Sequence, residues 1–251
     1  MPFDFRGKKV LETGAGKGIG LTLAIALSHD GCKVYALSRT KSTLDALVEE
    51  CPGIIPTEAD LCNWDDTREK LEKLEVLDGL VNNAGIDGHD YTALECPKEF
   101  LCKLLDNNLL SAINCSQVVA KKMIEAKIKG SIVNISSIAG LASFPNGLPY
   151  NVSKAGMDMA TKQFALELGP HGIRVNSVNP ALVRTPMMQD LIEKGLPMES
   201  LCIERCPMDR IIEVHEVVDP ILYLLSDHSS MVTRQTHVVD GGILSNITVK
   251  I

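Results

Sequence analysis

A tyrosine and a lysine one helical turn apart carry the strongest chemical signal in this chain. Tyr150 and Lys154 are four residues apart, and Ser137 precedes the tyrosine by thirteen. The run from Tyr150 to Leu168 favours a helix that ends at Gly169-Pro170, so the phenol and the ammonium share one face. An ammonium beside a phenol predicts a lowered tyrosine pKa, which suits a general acid that protonates a carbonyl oxygen. Ser137 is then placed to hydrogen-bond that oxygen.

Such a pair is also common on ordinary helix surfaces, so the interpretation needs support from elsewhere in the chain. A glycine-rich turn near the amino terminus supplies it. Lys8–Thr13 favours a strand, and a helix pattern runs from Ile19 to His29. The turn between them lets a backbone approach a pyrophosphate at the helix N-terminus, although a merely flexible turn is the alternative. The residues predicted to bind a dinucleotide here are Gly14, Lys17, Gly18, Ile19 and Gly20.

The end of the second predicted strand indicates which dinucleotide is bound. Lys33–Leu37 is followed by Ser38, Arg39 and Thr40, without the acidic residue that would bind a ribose 2′-hydroxyl and repel a 2′-phosphate. Arg39 and the nearby Lys17 are cations that suit a phosphate dianion. We therefore predict NADP(H), the alternative being that Arg39 is an exposed surface charge.

Two further strand ends are expected to meet the ligand. Gly53–Ala59 is a weaker strand that leads to Asp60 and Leu61, which are placed to meet the adenine edge. Asp78–Val81 is a strand that opens into a turn of small and polar residues, and such a turn suits a backbone that passes close to a ligand. The residues of this turn are Asn82, Asn83, Ala84 and Gly85.

Strands and helices alternate along the whole chain. Met187–Cys206 is a mixed apolar and charged segment that could cover a site as a lid. The alternation specifies a doubly wound parallel α/β sheet with ligands at the carboxyl ends of its strands. Because no linker or repeat interrupts it, we expect residues 1–251 to form a single domain. Further strands are predicted at 130–135, 173–178 and 237–239, and further helices at 66–73, 98–125 and 214–225.

Two asparagines interrupt the helix predicted over 98–125. Asn107 and Asn108 follow Asp106 in its middle, where they cost helix propensity. A kink whose freed carbonyl holds a water would explain them, and an exposed helix face is the alternative.

The bulk properties exclude several classes of function. The net charge of −7 argues against a nucleic-acid or anionic-membrane partner. No apolar run approaches the roughly eighteen residues that span a bilayer, and the first nine residues lack the apolar region of a secretory signal. Eight cysteines without a C-x-x-C pair indicate free thiols in a reducing compartment, and no His or Cys cluster completes a metal site. We expect a cytoplasmic protein without a metal ion.

Four motifs in order resemble those of the short-chain dehydrogenase/reductase family, over essentially the whole chain. They are Thr13-Gly14 with Gly18 and Gly20, Asn82-Asn83-Ala84-Gly85, Ser137, and Tyr150 with Lys154. The resemblance implies a Rossmann-type fold with strand order 3-2-1-4-5-6-7 and helices on both faces. It also implies that Tyr150 is the general acid and base, that Ser137 orients the carbonyl, and that Lys154 binds the nicotinamide ribose and lowers the tyrosine pKa.

The same resemblance assigns further site residues. Asn108 matches the family residue that holds a water and relays protons through Lys154. Asn108 is preferred to Asn107 because its distance from the pair Ser116-Gln117 fits the family better. Cofactor contacts are also implied for Pro180, Val183 and Thr185, which follow the sixth strand.

Within the family, the chain is most similar to the tetrameric carbonyl reductases that act on dicarbonyls and L-xylulose. This implies NADPH-dependent reduction of L-xylulose to xylitol, and of α-dicarbonyls such as diacetyl, by a homotetramer with 222 symmetry. A 3-oxoacyl thioester or steroid reductase is an alternative, and the charge of −7 disfavours docking of an acyl carrier. A catalytically silent NADPH-binding scaffold is another alternative, which the intact catalytic set disfavours.

Three positions depart from the family pattern. Ala181 replaces the usual glycine after Pro180. The segment 146–149 lies beside the tyrosine and is expected to shape the substrate pocket, with Asn146 as a substrate contact. Glu12 stands in the first strand, which lies mid-sheet between helices and is normally apolar. A buried carboxyl is expected to have a raised pKa and to stay protonated with hydrogen-bond partners. A tolerated substitution is favoured there over a proton-linked role beneath the cofactor turn.

Overall fold

One parallel sheet of seven strands organises the chain. The computed structural model describes residues 3–193, 195 and 198–245. The strand order is β3-β2-β1-β4-β5-β6-β7, as predicted, and every neighbouring pair is parallel. The carboxyl ends of the strands therefore lie along one edge of the sheet. The strands are β1 Lys9–Thr13, β2 Lys33–Ser38, β3 Ile55–Glu58, β4 Gly79–Asn82, β5 Ser131–Ile135, β6 Arg174–Pro180 and β7 Thr236–Val239.

Helices cover both faces of this sheet. Most predicted helices are confirmed to within two residues at each end. The helix at 41–50 was not predicted, because only Leu44 and Leu47 mark its buried side. The helices are α1 Gly18–His29, α2 Lys41–Glu50, α3 Trp64–Glu72, α4 Lys98–Leu105, α5 Ser111–Glu125, α6 Leu148–Leu168, α7 Pro186–Glu193, α8 Met198–Arg205 and α9 Val214–Leu225.

Two apolar cores lie on opposite faces of the sheet. Consecutive strand residues point to opposite faces, so Val10 of β1 belongs to one core and Leu11 to the other. The first core packs the sheet against α1, α2 and α9, and the second packs it against α3, α5 and α6. Burial on both faces explains the apolar residues in the middle of the central strands, such as Val10, Leu80 and Val133. It also makes Glu12, on the same face as Val10, an exception that requires explanation.

The asparagines at 107 and 108 mark a change of helix type. Between α4 and α5 the chain forms one π-helical turn, Asp106–Leu110. The Asn107 side chain donates to the carbonyl oxygen of Lys103 at 2.8 Å, while Asn108 is fully buried. Single π turns of this kind are frequent at functional sites. The predicted irregularity is therefore confirmed, and it directs Asn108 inward.

The apolar segments of the chain pack against the sheet. No helix within the residues that the structure describes combines the length and the apolar character needed to cross a membrane.

Candidate active site

The residues with the strongest chemical signal meet at the carboxyl ends of β5 and β6. Ser137 lies two residues after the end of β5, and Tyr150 and Lys154 lie one turn apart on α6. The Lys154 Nζ is 5.6 Å from the centre of the Tyr150 ring and donates to the Ile135 carbonyl oxygen at 2.8 Å. The Ser137 Oγ accepts a hydrogen bond from the Ala139 amide at 3.1 Å. All three side chains line one cavity.

Burial governs the ionisation of this pair. It raises the pKa of Tyr150 to about 12; the hydrogen bond with Ser137 opposes the rise, and the charge of Asp87 adds to it. Burial also lowers the pKa of Lys154 to about 8, against the charge of Asp158. The structure therefore contradicts the expectation of a lowered tyrosine pKa. The ammonium is itself desolvated and is directed to a carbonyl rather than to the phenol.

Asn108 supports the site from the π turn. Its Oδ1 accepts from the Ile86 amide at 2.8 Å, and its Nδ2 donates to the Ile86 carbonyl oxygen at 2.9 Å. A Cβ added to Gly85 would lie 3.3 Å from Asn108 Oδ1 and 3.7 Å from Lys154 Nζ. Gly85 therefore leaves the space between these two polar groups open. The bonds to Ile86 fix the asparagine amide beside that space.

The glycine turn forms a cradle that a side chain would fill. Gly14 has a φ of 75°, and a Cβ there would lie 2.9 Å from the Cα of Ala84. Gly18 begins α1 with a φ of 58°. The helix N-terminus has no side-chain cap and no acidic residue in its first turn, so its N–H groups are directed at the cleft. These features fit a pyrophosphate, as the sequence predicted.

The cleft around this turn collects most of the predicted cofactor residues. It has a volume of about 1490 Å³ including its open mouth. Arg39 is exposed at the end of β2 and makes no ion pair with any described residue, so its guanidinium is available to a 2′-phosphate. The predicted residues that line the cleft are Gly14, Lys17, Gly18, Ile19, Ser38, Arg39, Thr40, Asp60, Leu61, Asn83, Ala84, Gly85 and Thr185.

A second cavity of about 960 Å³ adjoins the cleft and holds the reacting side chains. Ile19, Asn83, Gly85 and Thr185 line both spaces, so the two are continuous. Pro180 and Val183, predicted to contact the cofactor, lie on the cavity side. Met188 and Leu191 of α7 and Cys202 of α8 form another wall. The segment predicted as a lid thus covers the site, although residues 194, 196 and 197 within it lie outside the described residues.

Three predicted residues line neither the cleft nor the cavity: Asn108, which lies behind the opening at Gly85, and Asn146 and Gly20. Asn146 is exposed, with a φ of 57°, in the turn before α6, and it does not line the cavity. Phe144, two residues earlier, lines the cavity instead, so the assignment of Asn146 to the substrate is corrected. Gly20 is buried within α1, where a Cβ would lie 2.4 Å from the Gly14 carbonyl oxygen. Its role is to let the helix approach the turn rather than to face the ligand.

Several lining residues were missed by the sequence interpretation. Gly16 lies against α2, where a Cβ would meet Thr43 Oγ1 at 2.3 Å. The glycine motif contains this residue and could have revealed it. Asp87 and His89, in the loop after β4, form a hydrogen-bonded pair inside the cavity. No motif marks that pair. Leu182 and Met187 also line the cavity, and Thr43 and Asn107 line the cleft.

Glu12 lies beneath the glycine turn and is completely buried. Burial raises its pKa well above the usual range, and the Asn83 amide opposes that rise. The Asn83 Nδ2 nevertheless donates to the carbonyl oxygens of Thr13 and Gly14, at 3.0 and 3.3 Å. Both carboxyl oxygens of Glu12 lack a hydrogen-bond partner among the described residues. The predicted burial and raised pKa are confirmed, and the predicted partners are not found.

Known proteins share this combination of fold and sequence. The profile of a family described as Enoyl-(Acyl carrier protein) reductase matches residues 14–244. The L-xylulose reductase of Mus musculus is 43% identical over 245 residues, which cover 98% of this chain and 100% of that protein. Carbonyl reductase (NADPH) 2 of Sus scrofa is 42% identical over 246 residues, covering 98% and 100%. The solved structure of a short-chain type dehydrogenase/reductase from Mycobacterium marinum superposes with a TM-score of 0.90 at 31% identity, covering 96% and 97% of the two chains.

Proposed function

The chain belongs to the short-chain dehydrogenase/reductase family, and on that basis we propose that it reduces small polar ketones with NADPH, including L-xylulose (to xylitol) and α-dicarbonyls such as diacetyl. At a coarser level, its similarity to an L-xylulose reductase and an NADPH carbonyl reductase makes it an NADP(H)-dependent oxidoreductase of C=O and CH–OH groups. The observation that carries the finer proposal is the meeting of Ser137, Tyr150 and Lys154 in a cavity continuous with the glycine-turn cleft.

Protonation of the carbonyl oxygen falls to Tyr150 in this proposal. The cofactor, when bound, supplies the hydride that reaches the carbonyl carbon. With a pKa of about 12, the phenol carries its proton at neutral pH, which is the state that a donor needs in the direction of reduction. The Ser137 hydroxyl is 3.5 Å from the Pro180 carbonyl oxygen, a contact weak enough to be exchanged for a bond to the substrate oxygen.

Lys154 and Asn108 are assigned to replacing the proton that Tyr150 gives away. With a pKa of about 8, Lys154 can gain and lose a proton near neutral pH, as a relay group must. Asn108 lies across the open space at Gly85, where we place the water that links the lysine to solvent. Lys154 is also assigned to the nicotinamide ribose.

Different residues of the cleft are assigned to different parts of the cofactor. Gly14, Gly18 and the free N-terminus of α1 would hold the pyrophosphate. Arg39 and Lys17 would bind the 2′-phosphate, and Asp60 with Leu61 would meet the adenine. The remaining contacts are assigned to Ile19, Ser38, Thr40, Asn83, Ala84, Gly85, Pro180, Val183 and Thr185.

A homotetramer forms part of the proposal. Outward-facing Val152, Met159 and Leu166 lie seven residues apart on α6, so they make one apolar stripe, in which Leu166 is 71% exposed. Met231 and Val238 are exposed near the edge strand β7. A tetramer with 222 symmetry needs at least two different self-complementary faces, and these two surfaces supply them. We further propose that residues 1–251 are one NADP(H)-binding domain and that the protein is cytoplasmic.

NADPH oxidation with L-xylulose, diacetyl and a 3-oxoacyl thioester, assayed side by side, tests the function. We expect turnover with the first two and little with the third, and Tyr150→Phe serves as the inactive control. Preference for the thioester would favour the acyl reductase alternative. A steroid ketone is assayed in parallel, and preference for it would favour the steroid reductase alternative, with Met188 and Leu191 as the apolar wall of its site. NADPH binding without turnover of any ketone would indicate a silent scaffold.

A further inference from the structure

Asp87 and His89 form a polar pair inside the substrate cavity that the mechanism above does not use. The His89 Nδ1 is 2.5 Å from Asp87 Oδ1, and the two side chains are only 12% and 13% exposed. The His89 ring lies 5.4 Å from the Tyr150 ring, centre to centre. Asp87 lines both the cavity and the cofactor cleft. The pair therefore stands beside the place where the carbonyl must react.

The cavity wall around Asp87 and His89 is largely apolar, so a polar pair there is unusual. Much of the cavity wall is apolar, from Phe144, Leu182, Met188 and neighbouring residues. Other hydroxyls of the lining are engaged with the protein, since Ser136 donates to the Lys154 carbonyl oxygen and Thr185 to that of Val183. Placing a carboxylate and an imidazole in such a wall costs desolvation, which a bound polar group would offset.

The chemistry of the pair selects the group that it can bind. A carboxylate only accepts hydrogen bonds, so the ring nitrogen beside Asp87 donates to it, which leaves the other ring nitrogen, Nε2, for a ligand. A hydroxyl both donates and accepts hydrogen bonds, so it can pair with Nε2, whereas a methyl group cannot. The short distance to Tyr150 places that O–H a few bonds from the reacting carbonyl.

On the basis of the proposed ketone reduction, we propose that His89 selects α-hydroxy ketones through a hydrogen bond between its Nε2 and the hydroxyl beside the reacting carbonyl. Asp87 is the positioning residue that fixes the His89 ring. The expected substrate class is then polyhydroxy ketones in preference to plain ketones.

Two matched ketones test this selection. In 3-pentanone a methyl group replaces the hydroxyl of 1-hydroxy-2-butanone. The intrinsic reactivities of the two ketones cancel when the ratio of their kcat/KM values is compared between variant and wild type, so the change in this ratio reports the hydroxyl contact. In His89→Phe, which keeps an aromatic ring against Tyr150, we expect this ratio to fall about tenfold, the loss of one net hydrogen bond. Asp87→Asn should lower the ratio less, and through KM rather than kcat. His171→Phe, at an exposed histidine after α6, is the matched control and should keep the wild-type ratio.

The outcomes separate the inference from the proposed function. NADPH binding by each variant, followed by fluorescence, confirms that it is folded. Wild-type turnover of both ketones with an unchanged ratio in His89→Phe overturns the inference and leaves the function standing. No turnover of either ketone by the wild type overturns both. Should His89→Phe not fold, the ratio in Asp87→Asn decides, and a wild-type ratio and KM there overturn the inference.

Discussion

Replacing Glu12 with valine should stabilise the protein, although it removes an ionisable residue from the centre of the sheet. Glu12 is fully buried between Ala36 of β2 and Val81 of β4, and both of its carboxyl oxygens lack partners among the described residues. A buried polar group without a hydrogen bond costs about 1–3 kcal/mol in protein mutational data. Glu12→Val should therefore raise the free energy of unfolding by about that amount. Activity per folded molecule should change little.

The gain should also depend on pH. In the unfolded chain the carboxyl ionises near its ordinary pKa, about 4.3, whereas burial raises the pKa in the folded protein well above the usual range. Above that ordinary pKa the folded state holds a proton that the unfolded state has lost, so the wild type loses stability as pH rises. The loss is at most about 1.4 kcal/mol per pH unit for one proton. The advantage of valine should therefore widen between about pH 5 and pH 8.

Urea melts of three proteins at these two pH values measure both effects. Glu12→Gln is the matched control, because it keeps the shape and the buried polar atoms but does not titrate. The advantage of the valine variant over the glutamine variant should stay constant between the two pH values, because neither side chain titrates. An advantage of valine that stays constant with pH would refute the raised pKa. Equal or lower stability of the valine variant at both pH values would show that the carboxyl is satisfied in solution.

Three further predictions concern the site. Tyr150→Phe should lower kcat with L-xylulose or diacetyl by at least roughly 10²–10⁴-fold while NADPH still binds; near wild-type turnover would contradict the acid role. Ser38→Asp combined with Arg39→Leu should move the ratio of kcat/KM for NADPH and NADH towards NADH, and an unchanged ratio would show that Arg39 does not contact the phosphate. Because the negative charge of Asp87 raises the pKa of Tyr150, Asp87→Asn should shift the basic limb of the kcat–pH profile to lower pH. An unchanged profile would show that the charge of Asp87 does not affect the pKa of Tyr150.

The fold could be predicted because its signals are local and repeated. Most strands contain a short apolar run, and most of the helices have periodic patterns, so the alternation of elements predicts a parallel doubly wound sheet. The order of its strands was implied by the family resemblance. The helix α2 was not predicted, because its two buried leucines, Leu44 and Leu47, are too few to establish a helical period of apolar residues. The asparagines at 107 and 108 were informative for the opposite reason. Poor helix formers in mid-helix need a structural cause, and the π turn is that cause.

The ionisation of the site could not be predicted, because it depends on burial from many elements. A lysine one turn from a tyrosine predicts a lowered phenol pKa when both groups are treated as solvated. In the structure both are desolvated, and the Lys154 ammonium is directed at the Ile135 carbonyl oxygen. Desolvation disfavours each charged form, so the pKa of Tyr150 rises while that of Lys154 falls.

The residues that line the substrate cavity were difficult to predict from their positions in the sequence. Asn146 is only four residues from Tyr150, yet its left-handed backbone turns it to solvent and brings Phe144 to the cavity. Asp87 and His89 are more than sixty residues from Tyr150 in sequence, and the parallel sheet brings the end of β4 beside the start of α6. Family motifs record the atoms that every member needs for the shared reaction. The loops that distinguish one ketone from another are free to differ between members. A selective pair such as Asp87 and His89 is therefore found from the structure of the cavity and not from a sequence motif.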